Sequence, residues 1–497
     1  MKITKWSMLI MLIMASQLKM LNAQELLTLE RTLEIAYENS PSIRQSKLNL
    51  VRSRESLNAQ NASLKSKFFL NLIPFSYGNN RSFDEFQSTW YTGKTMSSSG
   101  TFGISQPIKA TDGTLSLIND FGWQNSYSDY TDITTSTFHN KVSVRFNQPI
   151  FTYNRTKMSL KELVLDLENA LLSYAMQKLS IERMVSQYFY QVYQQQQSLI
   201  ISREELANQL ISHEIIKNKV DAGLTAKEEF WQAELNLANA RSSVYNAEVS
   251  LENAKDQLKQ TIGMKLEDEI DVIANVDVKT IDVELPDAIS YALKQRMELR
   301  QSEIDIEYSQ FNLIRTNANN EFKGNVSLDV GLFGENENLT KIYQEPSNNQ
   351  NVSLSFEIPI WDWGQKKAQM KAAEASLEMQ ELNFDNEKIS IQLNIREIYR
   401  NLQNLVYQIE IARKSVENAK LTYELNLEKY ENGDLTSMDL SLYQNQLSSK
   451  RNEYTNALIT YKLELLNLKI QTLWDFESRK SIVPSEYSPE LLNINQD

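Results

Sequence analysis

KVDAGLT, residues 219–225, holds the only glycine between Phe151 and Thr261, in a stretch that also lacks proline. Shifted by 210 positions, the feature returns as KYENGDL, residues 429–435, with Gly433 in the place of Gly223. The correspondence extends outward. VSVRFNQPIF at 142–151 lies over VSLSFEIPIW at 352–361 with Val, Ser, Phe, Pro and Ile shared, and Leu237 lies over Leu447. Upstream the shift is 256: SIRQS at 42–46 answers ELRQS at 298–302, and Leu57, Asn61 and Ala62 answer Leu313, Asn317 and Ala318. The chain is therefore a duplication, and the 46 residues by which the two shifts differ belong to the first copy alone, between Ala62 and Val142.

Two periodicities divide each copy. From Arg155 to Ala222 and from Gln365 to Asn432 there is neither glycine nor proline, and apolar residues recur every three or four positions, as in Ile181, Met184, Val185, Tyr188, Phe189 and Val192, or Ile391, Ile395, Ile398, Tyr399 and Leu402. That spacing predicts amphipathic helices, each roughly 100 Å long at about 1.5 Å per residue. Gly223 and Gly433 then supply the left-handed backbone at two hairpin turns, with return helices over 225–262 and 435–475. The preceding segments alternate with period two: KFFLNLI (67–73), TFGISQPI (101–108), TLSLINDFGWQ (114–124), VSVRFNQPI (142–150), NVSLDVGLF (325–333) and VSLSFEIPI (352–360). Most reach the roughly 9 to 11 residues with which a tilted strand crosses hydrocarbon. Polar connections containing Trp90, Tyr91, Trp123, Tyr127 and Tyr130 suit a membrane surface.

Composition sets the compartment. Residues 1–23 carry Lys2 and Lys5, the apolar run WSMLIMLIMA and LNA before Gln24, the pattern of a secretory signal, and no later run is apolar enough for a transmembrane helix. The 497 residues include no cysteine, which removes disulfides, thiolate metal sites and a lipidated N-terminal cysteine. Without the leader, 48 basic side chains face 64 acidic ones, a balance of −16 that argues against nucleic acid as a partner.

These features together resemble the TolC family of outer-membrane channels: a leader, a duplicated unit of β-hairpin and long αα-hairpin, a Pro-Ile step from strand to helix, and the A-G-L and N-G-D-L tips. The resemblance covers nearly the whole mature chain. It implies a mainly α protein with a membrane β-barrel, in which a homotrimer shares one barrel in outer-membrane lipid and one helical tunnel in the periplasm. It implies a periplasmic adaptor as direct partner, an inner-membrane pump reached through that adaptor, and no cofactor, metal or catalytic residue. Physical reasoning agrees on assembly, since neither four nor six strands close a membrane barrel and open edges in lipid leave backbone groups unpaired. The extra 46 residues read as one more hairpin, which would make six strands per protomer and eighteen per trimer against the twelve that the resemblance implies, unless it folds over the barrel mouth.

The resemblance also places a site. Ala222, Gly223 and Leu224, with Asn432, Gly433 and Asp434, fall where the family meets its adaptor, and Tyr430, Asp439 and Glu229 fall where the family closes the periplasmic end of its tunnel. Leu435 stands where the family has an arginine, and Leu442 where it has a second aspartate. Closure would then fall to Tyr430 reaching Glu229, to Lys227 or Lys429, or to leucine contacts.

The domain reading is a leader at 1–23, a first repeat at 24–263 with strands near 67–151 and a helical hairpin at 155–263, a linker at 264–285, a second repeat at 286–475 with strands near 325–361 and a helical hairpin at 365–475, and a tail at 476–497. The function read from these features is a passive exit duct for small toxic molecules or polypeptides, and two other functions compete with it. A secreted coiled-coil spacer or adhesion stalk would share the helices but not the amphipathic strands. A hydrolase finds no support: His139 and His213 are the only histidines, and HEIIK at 213–217 lacks the second histidine of a zinc motif.

Overall fold

The structure, a computed structural model, describes residues 25–86, 88–278 and 281–483. The expected leader and residues 484–497 of the tail lie outside the described residues. In chain order the elements are β1 (Glu25–Leu27), α1 (Leu29–Asn39), α2 (Pro41–Ser63), β2 (Lys67–Asp84), β3 (Thr89–Ile108), β4 (Gly113–Ser128), β5 (Ile133–Ile150), α3 (Arg155–Asp221), α4 (Lys227–Ile262), β6 (Ile270–Val272), α5 (Leu285–Gln295), α6 (Met297–Asn317), β7 (Lys323–Asn336), β8 (Ser347–Glu357), α7 (Gln365–Asn432), α8 (Ser437–Thr472), β9 (Trp474–Asp475) and β10 (Lys480–Ser481). Their starts obey the shifts found in the sequence. Leu29, Pro41 and Lys67 map by 256 onto Leu285, Met297 and Lys323, and Arg155 and Lys227 map by 210 onto Gln365 and Ser437.

Two compact units cut across the two repeats, so each copy contributes to both. One comprises residues 50–170 and 301–384 and contains a single antiparallel six-stranded sheet of order β2-β3-β4-β5-β7-β8. Its register puts apolar side chains in line across strands. Phe68, Ile104, Leu117, Val144 and Val330 form one cross-strand row, and Leu115, Phe146, Leu328 and Val352 form another on the same face. The opposite face carries Ser105, Ser116, Arg145, Asp329 and Asn351 in one row, with Arg145 Nε donating to Asp329 Oδ2 at 2.9 Å. Helix α6 is tied to α3 by Tyr308, which donates to Asp166 at 2.6 Å, and by the ion pair of Arg315 with Glu162. Burial and the Asp166 carboxylate push the Tyr308 phenol well above the usual tyrosine range.

The strands are longer than their alternating cores. β2 runs on to Asp84, β3 starts as early as Thr89 and β4 runs on to Ser128, so Trp90, Tyr91 and Tyr127 stand within strands rather than in connections, as does Trp123 at the end of the expected 114–124 strand. β5 likewise starts ahead of the expected 142–150, at Ile133, which puts His139 inside it, with Nε2 3.3 Å from Asp120. At the other end β8 stops at Glu357, short of the expected Ile360, because its partner β7 begins at Lys323, opposite Glu357.

The other unit comprises residues 25–49, 171–300 and 385–483 of the described chain. Its main core joins Leu27, Ile35, Ile181, Val185, Phe189, Leu258, Ile262 and Ile270, all under 10 % exposed. Burying each of the larger side chains contributes about 1.5–3 kcal/mol. The short parallel pair β1–β6 pins residues 25–27 to the linker at 270–272, and the β9–β10 pair gives the first residues of the expected tail a defined place. Among the described residues no helix is long and apolar enough to cross a membrane.

Candidate functional site at the hairpin tips

Both glycine tips fold alike, for the reason the sequence suggests. At the first, Gly223 N–H donates to the Val220 carbonyl at 2.9 Å and Leu224 N–H to the Lys219 carbonyl at 2.8 Å; at the second, Gly433 N–H reaches Tyr430 at 3.1 Å and Asp434 N–H reaches Lys429 at 2.9 Å. This paired 5→2 and 6→1 closure of a helix end needs a left-handed residue, and Gly223 and Gly433 have φ of 72° and 91°. No heavy atom outside the immediate chain lies within 4 Å of a Cβ built on either glycine, so each tip presents open backbone. Ala222, Leu224, Asn432 and Asp434 are all exposed beside them.

The two tips pack through Ile216, Ala233, Tyr430 and Leu440, with Leu435 among the half-buried side chains against this cluster. Tyr430 is 1 % exposed, and its hydroxyl lies 2.8 Å from that of Ser212 rather than at Glu229. Lys219 Nζ donates to the Tyr430 carbonyl at 3.1 Å and stands 5.4 Å from the centre of its ring, a cation–π contact. Burial raises the Tyr430 phenol above the ordinary tyrosine range. The leucine at 435 thus extends an apolar cluster where the family resemblance would put a cation.

The two acids take helix-terminal roles. Thr436 caps α8 by accepting from Asp439 N–H at 3.2 Å, and its hydroxyl donates to Asp439 Oδ2 at 2.7 Å. Glu229, in the first turn of α4, accepts from Ser437 N–H at 3.3 Å and so also satisfies the start of α8. Both stay at the surface of a cleft of about 460 Å³ bounded by Lys219, Leu224, Glu229, Tyr430, Asp434 and Asp439. Lys227 opens α4 and Lys429 stands in the last turn of α7, and the Tyr430 carbonyl is met by Lys219 instead. Sequence reasoning missed Ser212, Thr436 and Ser437. Ser212 and the buried pair Gln209–Gln444, joined at 3.1 Å, interrupt otherwise apolar helix faces, and that interruption was the available signal.

An antiparallel sheet with one apolar face, joined to paired helical hairpins that end in exposed glycine turns, defines a channel subunit of the bacterial outer membrane. The chain belongs to the outer membrane efflux protein family, whose sequence profile matches residues 114–264 and 288–469, one stretch in each copy. It is 22% identical to outer membrane protein TolC of Escherichia coli over 376 residues, 71% of this chain and 73% of that one. It is 20% identical to the probable outer membrane lipoprotein SilC of Salmonella typhimurium over 285 residues, 57% of this chain, and the match spans 61% of that relative's length. Among solved structures, the Campylobacter jejuni CmeC outer membrane channel superposes with a TM-score of 0.68 at 15% identity, covering 92% of this chain and 87% of that one. The open-state Neisseria gonorrhoeae MtrE channel gives 0.64 at 15%, covering 90% and 89%. At these identities the likeness fixes the fold: long helices and strands of the kind that make a helical tunnel and a β-barrel.

Proposed function

We propose that three copies of this chain form a passive exit duct, with a shared barrel in the outer membrane and a helical tunnel in the periplasm. The duct takes cargo from a periplasmic adaptor and an inner-membrane pump, and the pump supplies the energy. The observation that carries this reading is the sheet of open edges. Among the described residues β2 and β8 have no outer neighbour, and they are exposed along nearly their whole length, while one face of the sheet is apolar, with Phe68 68 % and Val352 71 % exposed. In lipid such edges are stable only when paired. The helices support the same reading. Ile389, Leu393, Tyr407, Ile411, Leu421 and Leu425 make an exposed stripe on α7, and Trp231, Leu235, Tyr245 and Val249 make another on α4, surfaces suited to neighbouring hairpins of other copies. A coiled-coil stalk would have no use for the apolar sheet face.

The tips are the docking surface in this reading, and the cargo is small toxic molecules or polypeptides. The test is fractionation and transport in one strain: the protein should sediment with outer membrane, run as a trimer in mild detergent, and protect cells from toxic compounds only when its adaptor is present. A soluble periplasmic monomer would overturn the proposal.

A further inference from the structure

We propose that the inserted hairpin β3–β4 is part of the transmembrane wall, so that β8 of each copy pairs with β2 of the next and three six-stranded sheets close one eighteen-stranded barrel. Diameter grows roughly linearly with strand number, so this barrel is about 1.5 times as wide as one built from four strands per copy. The inference rests on the trimeric reading above and adds the wall and its bore.

Four observations carry it. The ladder is continuous through the insertion: β3 pairs with β4 from Gly93↔Ser128 to Ile108↔Gly113, and β4 pairs with β5 from Thr114↔Asn147 to Ser128↔Ile133. The apolar face is continuous as well, since Phe102, Ile104, Leu115 and Leu117 of the insertion lie in rows with Leu70, Phe68, Phe146 and Val144. A hairpin folded over the mouth would give these four side chains to water and leave β2 beside β5.

The third observation is a clamp. The turn at 109–112 is held to the start of α3: Asn154 Nδ2 donates to the carbonyls of Lys109 and Ala110 at 2.9 and 3.1 Å, Thr156 N–H donates to Asp112 at 3.1 Å, and Gln148 reaches the Thr111 carbonyl. The turn thus sits at the level where strand passes to helix. The fourth is parity. β2 runs away from that level and β8 runs back to it, so β8 meets the next copy's β2 antiparallel, in the alternation already present within the sheet.

The polar face of β3 is built of Ser97, Ser99, Thr101, Gly103 and Ser105, side chains that occupy little of the lumen. Gly103 lies under the ring of Phe69, which an added Cβ would strike, so the glycine lets this lumen-facing aromatic lie against the wall.

The chain has no cysteine, so introduced pairs report without background. In native outer membranes, Asn71→Cys with Thr101→Cys places two thiols on directly paired residues and should oxidise within one chain. Asn71→Cys with Lys141→Cys lies three strand spacings apart, about 14 Å, and should not. The reverse pattern overturns the wall placement while leaving the trimer standing. Ser353→Cys on β8, combined with cysteine at Lys67, Phe69, Asn71 or Ile73, should give chain-to-chain links up to a trimer in at least one combination. Loss of every such link, with the first pair still oxidised, overturns closure by a second copy and with it the trimeric reading.

Discussion

The hydroxyl of Tyr430 stands 2.8 Å from that of Ser212, across two helices that the sequence separates by 218 residues, in the buried seam between the hairpin tips. One tyrosine therefore joins the two repeats of a single copy. Replacing it by phenylalanine leaves the Ser212 hydroxyl without this partner at a cost of about 1 kcal/mol. Ser212→Ala should cost a similar amount and the double variant less than the sum, because both remove one bond. Amide exchange around 212 and 430 should quicken in each, and single-channel recordings of Tyr430→Phe should show a larger open fraction.

The glycine turns separate folding from docking. Gly223→Ala and Gly433→Ala place a Cβ in left-handed backbone and should cost about 1 kcal/mol each, with transport retained. A Cβ at either glycine has no heavy atom beyond its chain neighbours within 4 Å, so with Gly223→Trp and Gly433→Trp oligomer and barrel should persist while transport is lost. Normal transport by both tryptophan variants would remove the tips from adaptor docking.

Glu229 and Asp439 serve helix ends within a copy, yet their carboxylates border the cleft. In a threefold ring, three copies of each gather negative charge that favours cations. The neutral pair Glu229→Gln and Asp439→Asn should weaken cation selectivity and block by multivalent cations in planar bilayers, while keeping much of the hydrogen bonding at the start of α8. Unchanged selectivity would return both acids to capping alone.

Asp112→Ala should free the turn at 109–112 from Thr156 and cost about 1 kcal/mol, the usual worth of a capping side chain. The assembled protein should then dissociate at a lower temperature on heated gels, and Asp112→Asn should restore much of the difference.

Burial raises the Glu182 carboxyl above its ordinary value, more than the nearby Lys469 lowers it. The folded state therefore holds this proton more tightly than the unfolded chain does. Its contribution to stability falls as pH rises from the ordinary glutamate range, near 4.5, through the raised folded value, and is level above it. Glu182→Gln should flatten that part of the stability profile and raise the melting temperature at neutral pH. A profile unchanged from wild type would refute the assignment.

Helix limits were legible because glycine and its neighbours punctuate them: the expected ends at Ala222 and Asn432 fall within one residue of Asp221 and Asn432. Strand cores were legible wherever one face is apolar. Strand ends were not, because β2 beyond Ser76 and β3 before Ser97 carry mostly polar and aromatic residues on both faces, and period two fades there. The β1–β6 pairing is three residues long and joins positions some 245 residues apart, with no local pattern to announce it. At the tips, residue types located the site, but the direction of Tyr430 did not follow from them. With Leu435 in place of a cation, the phenol turns to a serine that only the fold brings near.

The insertion entered one copy of the repeat and spared its helices. α3 and α7 have 67 and 68 residues, and α4 and α8 have 36 each. Because strands were gained as a pair, the last strand kept its direction and the ancestral edge residues stayed in place. The two halves thus differ by a hairpin of strands and agree in their helices, so after the doubling they diverged in the sheet alone. Girth of the outer segment and reach of the helical one are inherited on separate stretches, so natural selection can alter either without disturbing the other.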